Sequence, residues 1–187
     1  SSDLVDSENM LVERFGKPNG TNFTSFFTAA NFLSYGNNLK VVRVVNAGAK
    51  NAVSNSAIVA AVLVKNQTQY ESTYADGSAA VGSFAAKYPG TVGNSLRVSV
   101  ADSATYSTWT FKDLFDSAPN VSTYASSYGA TKDEMHIIVV DEDGEFTGTP
   151  GTVLEKYPFV SKASDAKKSD GTSNYYKTVL NTQSKYI

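Results

Sequence analysis

One histidine and no cysteine set narrow limits on the chemistry this sequence could perform. His136 stands at the head of the apolar run Ile137-Ile138-Val139-Val140, where it reads as an ordinary strand residue. A histidine-rich zinc site needs more than one such ligand, and a Ser-His-Asp triad needs its histidine in an open cleft. No G-x-S-x-G elbow exists to present a serine. The missing cysteines remove disulfides, thiolate metal sites and thiol nucleophiles together, without fixing the compartment. The densest acidic stretch is Asp141-Glu142-Asp143-Gly144-Glu145. An EF-hand loop wants glycine sixth and a carboxylate twelfth, between two helices. Counted from Asp141, glycine comes fourth and the twelfth residue is Thr152, so the stretch reads as a solvated β-turn. Asp141 or Asp143 paired with Glu155 is the nearest approach to acid/base hydrolysis, with no spacing that fixes a geometry. Gly16-Lys17-Pro18 lacks the glycine spacing and the Ser/Thr of a phosphate loop. Asn-x-Ser/Thr triplets begin at Asn19, Asn22, Asn66 and Asn120, as expected by composition in a chain this rich in Ser and Thr. Among 11 Tyr and 10 Phe, the pairs Tyr175-Tyr176 and Tyr124…Tyr128 are the candidates for an exposed aromatic surface, serving a ligand or another subunit equally well. The residues name no catalytic group, no cofactor and no metal ligand.

The elements that would position such groups belong to one ordinary domain or two small ones, since the chain has 187 residues and 20.0 kDa. A hydrophobic fraction of 41% supports a real core. With 16 Lys+Arg against 18 Asp+Glu there is no basic surplus to neutralise phosphates, which argues against nucleic acid as a partner. The longest apolar run, Ala57 to Val64, falls far short of the ~20 residues of a membrane span. The start, Ser1-Ser2-Asp3-Leu4-Val5-Asp6, has no basic or apolar region of a signal peptide. Together with the stop at Tyr186-Ile187 it reads as the interior of a longer chain.

A helix capped by Asp6 or Ser7 carries Met10, Leu11 and Phe15 and stops at Gly16, with Pro18 beyond. After the polar turn Pro18-Asn19-Gly20-Thr21, residues Phe23, Phe26, Phe27, Ala30 and Leu33 recur on one face of a second helix that Gly36 ends. Leu39 to Val45 is β-branched and apolar, which predicts a buried strand. The run Ile58 to Val64 fits a strand or a short helix, and Asp76-Gly77-Ser78 marks a subdomain boundary. Tyr88 to Ser95 is a tight turn in which Pro89 fixes φ and Gly90 and Gly93 supply positive φ. Leu96 to Val100 alternates as a half-buried strand. Further strands are expected at Trp109-Thr110-Phe111, Met135 to Val140 and Val153 to Glu155, with Asp141 to Gly144 as a hairpin-type turn. Thr172 or Ser173 caps a last helix with Tyr176, Val179 and Leu180 inward. The fold class is α/β in the α+β sense, a mixed sheet with flanking helices.

Tyr-Pro-Gly-x-x-Gly-Asn-x-Leu-x-Val, carried by Tyr88, Pro89, Gly90, Gly93, Asn94, Leu96 and Val98, resembles the turn-into-strand motif of contractile tail sheath proteins of myophages. Leu11 to Gly16, with Phe15 and Gly16 at its end, and Asn31 to Arg43 are similar to that family's N-terminal part. Asn174-Tyr175-Tyr176, Val179-Leu180-Asn181 and Ser184-x-Tyr186-Ile187 resemble its terminal helix-then-strand, which follows a turn and strand at Val140 to Glu155. The flavour is that of large myophages, cyanobacterial ones among them. The resemblance implies sheath-type domains lacking the family's N-terminal arm and C-terminal region: 1–46 as a helix-helix-strand segment, 47–87 as a linker or reduced insertion, and 88–187 as a β-rich domain packed with 1–46 or apart from it. It makes Phe15, Gly16, Tyr88, Pro89, Gly90, Gly93 and Asn94 structural rather than catalytic. It implies a structural, non-enzymatic subunit that stacks in six-fold rings around a tail tube and drives the tube into the host without a cofactor, a two-state re-docking of rigid domains. The implied partners are other copies, the tube protein and the baseplate, in a virion tail assembled in the host cytoplasm. With the linking arms absent, this chain is expected to be monomeric. The rival reading is a receptor-binding or adhesin module for a host surface glycan.

Overall fold

The computed structural model describes residues 2–54, 62–75 and 82–187. The runs Ile58 to Ala61 and Asp76-Gly77-Ser78, named above, lie outside the described residues. The chain divides into two units, one of residues 1–96, 141–152 and 185–187, the other of residues 97–140 and 153–184.

In the first unit, β1 (Ser2–Val5) pairs antiparallel with β2 (Leu39–Val42), Val5 opposite Leu39 and Ser2 opposite Val42. Between them run α1 (Glu8–Phe15) and α2 (Phe23–Tyr35). Ser7 caps α1 by accepting the Met10 amide at 3.3 Å, and Gly16, at φ 77°, closes it. Val5, Leu11 and Phe26 form the buried centre, with Met10, Phe15, Ala30, Leu33 and Val41 against it. Two expectations are corrected. Phe23 and Phe27 form an i,i+4 row beside the Phe26–Ala30–Leu33 row, and only the latter is covered; both stay about half exposed. The predicted buried strand at 39–45 ends at Val42 and alternates half-buried and exposed, because a two-stranded sheet has one covered face. Val44 lies past its end and is 91% exposed. A short helix, α3 (Gln67–Thr73), carries no sequence signal that was read, although Asn66 caps it.

The second unit is organised on the sheet β3 (Leu96–Asp102), β4 (Glu134–Asp141) and β5 (Thr152–Ser161), with β4 central. The Glu142 amide reaches the Ser95 carbonyl and the Lys162 amide the Asp133 carbonyl, so both neighbours run antiparallel to β4. β4 is buried from Met135 onward, as its continuous apolar run predicts. Ala101, Trp109, Ile138 and Val140 form the core, flanked by Tyr106, Phe111, Phe115 and Val153. The expected strand at Trp109-Thr110-Phe111 is instead a plug of 3-10 turns, Tyr106–Thr108 and Lys112–Leu114. Asp102 nucleates it by accepting the Ala104 and Thr105 amides, and the Trp109 indole N–H donates to Ser99 Oγ at 2.8 Å. α4 (Thr123–Ser127) is capped by Ser122. Asp133 is buried beneath it, taking the Ser122 amide at 2.7 Å, the Ser122 hydroxyl at 2.8 Å and the Ser161 hydroxyl. α5 (Tyr176–Gln183) buries Val179 and Leu180. Its N-cap is Tyr175 without a side-chain bond, not Thr172 or Ser173, because Ser173 Oγ is engaged one step earlier on the Tyr175 amide. Residues 185–187 form no strand after α5. Helices with two antiparallel sheets give the mixed α+β class.

Candidate functional site

The turn at 88–95 is built around an arginine. Arg43 leaves the end of β2 and lays its guanidinium between the rings of Phe15, 4.6 Å away, and Tyr88, 4.8 Å away. Its Nη1 donates to the Pro89 carbonyl at 3.2 Å and its Nη2 to the Arg14 carbonyl. One side chain thereby ties the C-terminus of α1 to the Tyr88 turn. Burial lowers the Arg43 pKa, with Tyr88 and Asp3 opposing, and burial raises that of Tyr88. The cation persists at any ordinary pH. Beside it lies a cavity of about 20 Å³ lined by Arg14, Phe15, Arg43, Tyr88, Phe146 and Tyr186, among others. That volume suits a single water, far below the few hundred Å³ of a ligand pocket.

Of the residues singled out in the sequence, Phe15, Tyr88 and Pro89 meet at Arg43. A Cβ on Gly16 would touch Val92 at 3.2 Å, so the helix end and the turn are in contact there. Gly90 takes φ 127°, where only glycine is comfortable, and its amide reaches the Lys50 carbonyl. Gly93 is corrected: its φ is not positive, and what is tight there is packing, since a Cβ would stand 3.0 Å from that of Ala86 and 3.3 Å from that of Ala52. Asn94 is exposed. Arg43 itself was missed as a site residue. Its signal was available, one long cation inside Val41-Val42-Arg43-Val44-Val45.

The turn continues into a second junction. Ser95, at the start of β3, donates to Asp141 Oδ1 at 2.6 Å, and the other carboxylate oxygen accepts the Phe146 amide at 3.1 Å and the Thr147 amide at 2.7 Å. Thr147 Oγ1 adds a third donor at 2.9 Å. Burial pushes the Asp141 pKa up, but the bonds from Ser95, Thr147 and Phe146 outweigh it and hold the group below its ordinary value. The stretch from Asp141 is therefore a solvated turn only in part. Asp141 is fully buried, Gly144 and Phe146 are buried with it, and Glu142, Asp143 and Glu145 face outward. An ionised carboxylate that accepts four hydrogen bonds is a poor general acid. Glu155, its proposed partner, accepts from the Tyr157 and Ser184 hydroxyls. Among the described residues, no group of three His, Asp or Glu side chains is placed to hold a metal ion. Among the described residues, no helix is long and apolar enough to cross a membrane. Tyr128 is 74% exposed beside Tyr124, their rings 5.1 Å apart, whereas Tyr175 and Tyr176 are half-buried.

Comparison with known proteins supplies the remaining information. The chain is 37% identical over 150 residues, 80% of its length, to a tail sheath protein of Salmonella phage ViI. A tail sheath protein of Vibrio phage KVP40 shares 54% identity over 43 residues, 23% of this chain and 6% of that protein. No family model and no solved structure matches. The chain spans about a fifth of the length of the ViI relative. These phages are named for Salmonella and Vibrio, not for cyanobacterial hosts. Over four-fifths of its length, this chain is homologous to a segment of the tail sheath proteins of phages.

Proposed function

We propose that this chain acts as a structural segment of a contractile phage tail sheath, without catalysis. The observation that carries the reading is the 37% identity to a sheath protein across 80% of the chain. The geometry supports it. The Tyr88 turn is organised as a rigid joint, with a cation clamped by two rings and two carbonyls and a cavity too small for a substrate. A sheath that converts one lattice into another needs such stiff bodies, because work is transmitted only if the subunits re-dock without deforming. In this reading Phe15, Gly16, Tyr88, Pro89, Gly90, Gly93 and Asn94 keep the joint in shape. The intact protein stacks in six-fold rings around the tail tube, meets the baseplate at one end, and contracts to drive the tube into the host. It assembles in the host cytoplasm and ends in the virion tail. The chain alone is monomeric, since contacts that are weak singly become effective only when a lattice multiplies them. No relative supports the adhesin alternative.

Immunogold labelling of purified virions with an antibody raised against this chain tests the proposal. Gold along the full length of the tail is the expected result. Gold confined to fibres or to the tail tip would overturn it in favour of a receptor-binding role.

A further inference from the structure

The sole histidine of the chain is fully buried, and both of its ring nitrogens are engaged by backbone in opposite senses. Nε2 lies 2.9 Å from the Ser117 carbonyl, which can only accept. Nδ1 lies 3.0 Å from the Phe159 amide, which can only donate. The partners therefore fix the neutral tautomer with its proton on Nε2. The ring is enclosed by uncharged surfaces: Phe115 stacks on it at 4.2 Å and 9°, and Phe159 meets it edge-on at 4.6 Å. Trp109 and Tyr106 complete the enclosure, the Tyr106 hydroxyl being committed to the Lys112 carbonyl. Of the charged groups, Glu134 on the same strand is the one that favours a protonated ring, and burial opposes it more strongly.

What the ring holds is unusual. Phe159 sits at φ 51°, a left-handed conformation that a bulky residue avoids, two residues before the end of β5. It is gripped from both sides, its amide by His136 Nδ1 and its carbonyl by the Asn174 side-chain amide at 2.9 Å. A proton added to His136 can go only to Nδ1, where it would face the Phe159 N–H, donor against donor, in a fully buried site.

We propose that His136 is a proton-sensitive latch: the neutral ring pins Phe159 in its left-handed conformation, and protonation at Nδ1 expels that amide and releases the end of β5. The latch concerns the second unit alone and does not depend on the sheath reading. A single histidine makes the test direct. Two-dimensional proton–nitrogen spectra of the imidazole, recorded from pH 8 to pH 4, give tautomer and titration, and hydrogen exchange gives the protection factor of the Phe159 amide. The expected result is an Nε2–H tautomer that titrates below the ordinary value of 6.5, with Phe159 protection falling at least tenfold in the same step. His136→Asn keeps an acceptor near the Nδ1 position and cannot titrate, so its Phe159 protection should not change over that range. Should this variant fail to fold, the wild-type titration still decides. An Nδ1–H tautomer, a ring titrating at 6.5 or above, unchanged Phe159 protection on protonation, or the same pH step in the asparagine variant would each overturn the latch.

Discussion

Arg43→Lys is the substitution that best probes the joint, because it keeps the charge and removes the shape. The guanidinium reaches the Arg14 and Pro89 carbonyls with separate nitrogens while lying between the Phe15 and Tyr88 rings. An ammonium on a four-carbon stem cannot span both carbonyls and stack flat at once. One charge-assisted hydrogen bond is then lost, worth about 1.5–3 kcal/mol when well buried, and the two ring contacts together weaken by about 0.5 kcal/mol. Arg43 is only half-buried, so the lower end applies and the expected cost is about 2 kcal/mol. For a chain of this size that corresponds to a Tm lower by roughly 4–8 °C. Urea denaturation followed by far-UV circular dichroism reads the change, and a double-mutant cycle with Tyr88→Leu reads the coupling. A loss below about 0.5 kcal/mol with no coupling would mean that the guanidinium merely rests on the surface, and the rigid-joint argument would fail.

Gly93→Val should destabilise by about 1–3 kcal/mol through crowding against Ala52 and Ala86; a variant that melts like wild type would show that the turn has room to yield. Asp133 and Asp141 both have lowered pKa values, so the stability they contribute is present above the ordinary carboxylate value of 3.8 and is lost as pH falls through their lower folded values. Asp141→Asn should therefore flatten part of the acid limb below pH 3.8, measured by melting across pH 2–5, and an unchanged limb would refute the assignment. A chelator should leave the Tm unchanged, and a fall of several degrees would reveal a structural metal. Light scattering at micromolar concentration should report close to 20.0 kDa, whereas a stable hexamer would show that this region alone closes rings.

Local signals in the sequence were legible where a short stretch determines the outcome. Ser7 and Gly16 bound α1, Gly36 ends α2, and the uninterrupted run at Met135–Val140 is the central buried strand. Reading failed where the deciding partner is distant in sequence. Trp109-Thr110-Phe111 has strand composition, but Asp102 and Ser99 draw it into turns that plug the sheet. Asp141 looked like a solvated acid because its partners, Ser95 and Thr147, come from another strand and from a loop. Gly93 was assigned to backbone conformation, whereas the crowding there comes from the alanines packed on it. The turn motif at Tyr88–Asn94 was visible as a pattern, but the arginine that organises it lies about 45 residues earlier, and no local rule joins the two.

The central claim is that this chain is part of a sheath, and cryo-electron microscopy of intact phage tails tests it most directly. The expected result is that both units, with Arg43 clamped between Phe15 and Tyr88, fit into density repeated six-fold in every ring along the tail. A reconstruction whose sheath rings contain no density for this fold, or which places it only at the tail tip, would contradict the account.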